Sequence, residues 1–125
     1  MYVCWGSAFI FQKVQFVLFF FVVVTPSISP FTFGKNAVNA GELVQQNCAV
    51  TKGDEPLNIT WTLNGADASS VSGIYVLKIG SKTSILTIES VGAYHGGNYT
   101  CTATNAAGLS QFTAHLAVNG TAVSV

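Results

Sequence analysis

The sequence predicts an all-β protein, a sandwich of two antiparallel sheets packed face to face. Three observations carry that prediction. Short runs of alternating apolar and polar residues follow one another at regular intervals, each closed by Gly, Asn or Pro turn signals. No stretch holds a helical period of apolar residues. Cys48, Trp61 thirteen positions later, and the run Gly97-Asn98-Tyr99-Thr100-Cys101 are spaced as residues of inner strands in such a sandwich.

The elements follow in order. Pro30-Phe31-Thr32-Phe33 reads as an edge strand, since proline belongs at strand starts and edges. Asn39-Ala40-Gly41-Glu42 is a turn, and Leu43 to Val50 is a strand around Cys48. Lys52 to Pro56 is a loop, followed by the tryptophan strand from Leu57 to Leu63 and the turn pair Asn64-Gly65. Ala66 to Gly73 is small and polar and reads as a flexible loop. Ile74 to Ile79 and Thr83 to Ser90 are strands joined by Gly80-Ser81-Lys82, and Gly97 to Asn105 and Leu109 to Val118 form a last hairpin turned by Ala106-Ala107-Gly108.

Alternation assigns faces, because successive strand residues point to opposite sides. Leu86 and Ile88 point inward with Val91 at the following corner, and Thr83, Ile85, Thr87 and Glu89 point outward. Tyr99, Cys101 and Ala103 face in, whereas Asn98, Thr100 and Thr102 face out. Val44 and Gln46 share the face of Cys48, so Gln46 is an anomaly: buried without a partner, its amide would cost about 1–3 kcal/mol. Either it finds a backbone partner or that edge of the core is open. The outward set Tyr75, Leu77, Ile85 and Thr87 comes from neighbouring strands. It reads either as a contact surface or as the scattered surface hydrophobes of any protein.

Composition narrows the function. Five basic and five acidic residues cancel, which argues against a nucleic-acid partner. Half of all residues are apolar, but much of that excess lies in the first 24 positions. The partition is an apolar leader over 1–26, a domain over 27–119 and a tail over 120–125. The leader, with Lys13 ahead of Val14 to Val24, suits a secretory signal and is too short for a membrane-spanning helix. An alternative is a translated intron: Phe19 to Val24 is what a pyrimidine tract encodes, and Val123-Ser124 can be encoded by a splice-donor sequence. Cys4 falls in this leader, outside the domain.

Chemistry is sparse. Asn58-Ile59-Thr60, Asn98-Tyr99-Thr100 and Asn119-Gly120-Thr121 are glycan acceptor triplets, which fit a secreted, solvent-facing domain. His95 stands at a corner and His115 on the last strand, each read as a surface residue. No nucleophile–base set, metal-ligand spacing or phosphate-binding loop accompanies them. The sequence therefore predicts no enzyme, no cofactor, no metal and no small-molecule substrate.

The cysteine, tryptophan and tyrosine set resembles an immunoglobulin domain. That resemblance implies a disulfide between Cys48 and Cys101, with Trp61 and Leu86 packed around it and Tyr99 turning a corner by a hydrogen bond to backbone. The bridge would close a loop of roughly 53 residues, worth about 4 kcal/mol on the chain-entropy account, and would need an oxidising compartment. A sharper likeness comes from Pro30-Phe31-Thr32-Phe33-Gly34, Gly53-Asp54, Pro56 to Trp61, Thr83 to Val91 and His95 to Cys101. These segments are similar to variable immunoglobulin domains of the arthropod Dscam family, the Down syndrome cell adhesion molecules. The resemblance implies an extracellular module of a larger membrane-anchored or secreted protein, made from interchangeable exons. It further implies antiparallel pairing with a second copy in neuronal self-recognition, with Tyr75, Leu77, Ile85 and Thr87 as the pairing face. The alternative it carries is a soluble immune-recognition domain binding foreign ligands. His95 departs from the pattern, standing where the family has an acidic residue, which puts the usual corner ion pair in doubt; Gln46 is the second departure.

Overall fold

Alternation along the central strands gives each one buried apolar side, and two such sides closing on each other make the fold. A computed structural model describes residues 23–119. Its strands are β1 (Ser27–Ile28), β2 (Val38–Asn39), β3 (Val44–Lys52), β4 (Asn58–Leu63), β5 (Ala66–Asp67), β6 (Ile74–Ile79), β7 (Thr83–Ile88), β8 (Gly97–Asn105), β9 (Gly108–Leu116) and β10 (Val118–Asn119). One sheet has the order β9-β8-β4-β5 and the other β1-β3-β7-β6, with neighbours antiparallel. β2 and β10 form a separate parallel pair, Val38 opposite Val118 and Asn39 opposite Asn119. The expected all-β sandwich is the observed fold.

The core fills as alternation requires. Leu86 and Ile88 from β7, Tyr99 and Cys101 from β8, and Cys48 from β3 are fully buried, and Trp61 from β4 nearly so. The disulfide implied by the resemblance is present: Cys48 on one sheet bonds Cys101 on the other, with Cα atoms 6.4 Å apart. Asn64 and Gly65 close the β4–β5 hairpin with φ of 51° and 89°, the left-handed pair that a two-residue turn of this type requires.

Four expectations need correction. Residues 30–33 form no strand; pairing occurs at β1, against β3, and at β2, against β10. Phe31 and Phe33 alternate because the chain is extended there. The segment passes from β1, in the β1-β3-β7-β6 sheet, to β2, in the separate pair with β10, and has no ladder partner of its own. Its rings are half-buried instead, Phe31 at 4.9 Å from Phe112 and 5.4 Å from Trp61, Phe33 at 5.3 Å from Tyr99. The last strand also breaks, at Ala117, where the chain leaves β9 to pair with β2 as β10.

The third correction is the loop over 66–73. It holds β5 and a 3-10 turn, Ala68–Ser70, capped by Asp67, whose Oδ1 accepts from Ser69 N at 3.1 Å and Ser69 Oγ at 3.0 Å. The fourth is His95, read as a surface residue; it is completely buried, in the 3-10 turn Ala93–His95. The choice left open at Gln46 also resolves. Its Nε2 donates to the Thr32 carbonyl at 2.7 Å and its Oε1 accepts from Asn47 N at 3.0 Å. The polar residue on the core side thus ties down the crossing segment.

The described chain is docked at its start. Val24 N donates to Asp54 Oδ2 at 2.8 Å, Asn105 Nδ2 donates to the Val24 carbonyl at 2.6 Å, and Pro26 is buried. The leader and exon-border readings for 1–22, Cys4 and the tail from residue 120 lie outside the described residues. No helix among the described residues is long and apolar enough to cross a membrane.

Candidate recognition surface

With Cys48, Trp61, Leu86, Tyr99 and Cys101 enclosed, contact with another molecule falls to the outward alternates. β6 and β7 pair so that Tyr75 stands opposite Thr87, and Leu77 opposite Ile85. The four candidate residues are thus two adjacent rungs of one ladder on one face. Tyr75 is 60% and Leu77 63% exposed, while Ile85 and Thr87 are half-buried beneath them. Ile79, 49% exposed and opposite Thr83, extends the row by a rung. β3 supplies the third column, with Gln45 beside Thr87 and Asn47 beside Ile85. Gln45 Nε2 donates to Thr87 Oγ1 at 3.2 Å and holds that rung in place. β6 is the sheet's edge strand, so nothing in its own sheet lies beyond it.

The other sheet presents a different surface. β4, β8 and β9 turn outward a ladder in which Thr62 pairs with Thr100 and Thr100 with Thr113. Thr60 likewise pairs with Thr102, and Thr102 with Gln111. Thr100 and Thr113 hydroxyls lie 2.7 Å apart, and Gln111 Nε2 donates to Thr102 Oγ1 at 3.2 Å. Two of the acceptor asparagines, Asn58 and Asn98, are exposed on this face. Asn119 is exposed on β10, its Nδ2 donating to Asn39 Oδ1 at 3.4 Å; Gly120 and Thr121 of its triplet lie outside the described residues.

Buried polar contacts lie beneath both faces; the bond from Tyr99 was anticipated from the sequence, and those of Trp61 and His95 were not. Trp61 Nε1 donates to Ser84 Oγ at 3.1 Å, a bond from one sheet to the other across the core. Alternation with Leu86 and Ile88 was the available signal for Ser84 facing inward. His95 Nδ1 accepts from Gly92 N at 2.8 Å and its Nε2 donates to the Ser72 carbonyl at 2.8 Å, which fixes the tautomer with the proton on Nε2. The imidazole thus ties the corner at Gly92 to Ser72 through two backbone bonds. The signal was its position in the corner motif. Tyr99 O–H donates to the His95 carbonyl at 2.5 Å, and burial pushes the phenol up to about 12. Gly97 lies two residues beyond His95 with φ of +145°, a backbone conformation that favours glycine, and a Cβ there would displace the Asn64 amide 2.5 Å away.

The immunoglobulin-domain family matches residues 25–105. The chain is 43% identical over 99 residues to the cell adhesion molecule Dscam1 of Drosophila melanogaster, and 37% over 97 residues to Dscam2 of the same organism; each alignment takes in 78% of this chain. It spans only 5% of the length of those relatives. Among solved structures, the Dscam1 Ig7 domain, isoform 5, superposes with a TM-score of 0.73 at 46% identity, covering 75% of this chain and 96% of that one. The order of strands, the inter-sheet disulfide, the tyrosine corner and these likenesses agree: the chain belongs to the immunoglobulin-domain family, as a Dscam-type immunoglobulin domain.

Proposed function

We propose that this domain is an extracellular recognition module of a Dscam-like adhesion protein, and that it pairs with a second copy of itself through the outer face of β6 and β7. The observation carrying the proposal is the two-rung patch, in which Tyr75 and Leu77 keep 60% and 63% of their surface open over Ile85 and Thr87. Exposed aromatic and aliphatic side chains fixed by a sheet lose little freedom on contact, and aromatic anchors recur at binding hot spots. A single flat patch that meets its own copy does so about a two-fold axis, with the strands running antiparallel across the interface. The relatives' description as cell adhesion molecules supports the same reading. Neuronal self-recognition is the role this pairing would serve.

Sedimentation over a wide concentration range tests it. The chain is expected to form reversible dimers. Leu77→Asp is expected to lose about 2 kcal/mol or more of the pairing energy, roughly a 30-fold weaker dimer, with thermal stability kept because the residue is exposed. A wild-type chain that stays monomeric at every concentration contradicts the proposal. So does a Leu77→Asp chain that dimerises as wild type does.

A further inference from the structure

We propose that Asn58 and Asn98 both carry N-linked glycans and that these close the outer face of β4, β8 and β9 to other proteins. Both asparagines head acceptor triplets, and both are exposed on the same face of the same sheet. Asn58 stands opposite Thr104, six residues along β8 from Asn98, which at the usual rise of a strand puts the two about 20 Å apart, one at each end of the threonine ladder. Side-chain geometry suits attachment. His115 Nδ1 lies 2.9 Å from Asn98 Oδ1 and donates to it, which turns Nδ2 toward solvent. Among the described residues neither Nδ2 atom has a hydrogen-bond partner, in contrast to that of Asn119.

In the modification, the amide Nδ2 attacks the anomeric carbon of an oligosaccharide carried on a lipid pyrophosphate. The carbon–nitrogen bond forms and the carbon–oxygen bond breaks. The pyrophosphate leaves with the electron pair, and one amide proton passes to solvent.

The face between the glycans is polar apart from Leu109, which is 58% exposed. Its three strands turn out no acidic residue, lysine or arginine, and its central hydroxyls are taken up by one another at Thr100 and Thr113 and by the Gln111 amide at Thr102. A bulky, solubilising glycan at each end leaves the β6–β7 patch as the open apolar surface of the two sheets. Glycan occupancy stands on its own geometry, and only its consequence for adhesion rests on the pairing face proposed above.

The chain secreted from a eukaryotic cell line tests it. Peptide N-glycosidase is expected to remove glycan mass and convert both Asn58 and Asn98 to aspartate, as read by peptide mapping. Hydroxyl-radical oxidation then compares the glycosylated and trimmed chains. Leu109, on the rung of Asn58 and Thr104, and His115, bonded to Asn98, are expected to react several-fold more slowly with the glycans in place, with Tyr75 and Leu77 unchanged. Either asparagine found unmodified, or equal oxidation of Leu109 and His115 in the two forms, overturns the proposal. Neither readout involves self-association. A chain that carries both glycans, protects Leu109 and His115 and yet remains monomeric overturns the pairing reading and supports this one.

Discussion

Ser84 is a small hydroxyl in the core, 1% exposed, and it answers the indole N–H of Trp61. A buried donor stripped of its acceptor keeps its full desolvation cost, so Ser84→Ala is expected to destabilise the domain by about 1–3 kcal/mol. Denaturant midpoints of the two chains measure this, and an unchanged midpoint would show that the indole finds another partner. The apolar half of this neighbourhood was legible: Leu86, Ile88, Tyr99 and Cys101 lie where alternation puts them. The polar half was not. Ser84 and His95 are residues that usually face water, and only the surrounding backbone shows that each meets a partner inside. Gln46 announced itself because its strand position contradicted its chemistry.

Elements show the same division. Every strand that lies between two others could be read from its own residues, because burial on one side imprints a period of two. The segment from Pro30 to Phe33 carries that period without being a strand, since alternation reports an extended chain next to a core and says nothing about a hydrogen-bonded neighbour. Capping by Asp67 turned an apparent loop into an ordered turn, which a run of small polar residues cannot distinguish from a flexible one. The corner before β8 was legible in the tyrosine and not in the histidine it bonds.

That corner has a measurable consequence. The Tyr99 phenol is raised by burial from 10.0 to about 12 in the folded chain. The folded state therefore keeps a proton that the unfolded state gives up. The stability this contributes is fully present below pH 10 and is lost as the pH rises through about 12, on the order of 2–3 kcal/mol in all. Urea midpoints are expected to fall across that window; a tyrosine that titrates in the folded chain at its ordinary value, followed by its ultraviolet absorbance, would refute the assignment.

At the scale of the whole molecule, one scaffold presents two surfaces of opposite character. The outer face of β3, β7 and β6 ends in Tyr75, Leu77 and Ile79, apolar and open. The outer face of β4, β8 and β9 is a hydroxyl ladder between two acceptor asparagines. The disulfide and the Trp61–Ser84 bond hold the two sheets together and touch neither surface. That the four interface candidates lie on adjacent rungs depended on the register of β6 against β7. Alternation restricts such a register to pairings that keep the apolar face inward, and the turn, here Gly80-Ser81-Lys82, selects among them. The proposed pairing assigns adhesion to the first surface. Backbone amide chemical shifts followed by NMR as the chain is diluted test it most directly. Concentration-dependent shifts are expected at Tyr75, Leu77, Ile85 and Thr87, with constant shifts at Thr60, Thr102 and Thr113. Shifts that move on the threonine face instead, or on neither, would contradict it.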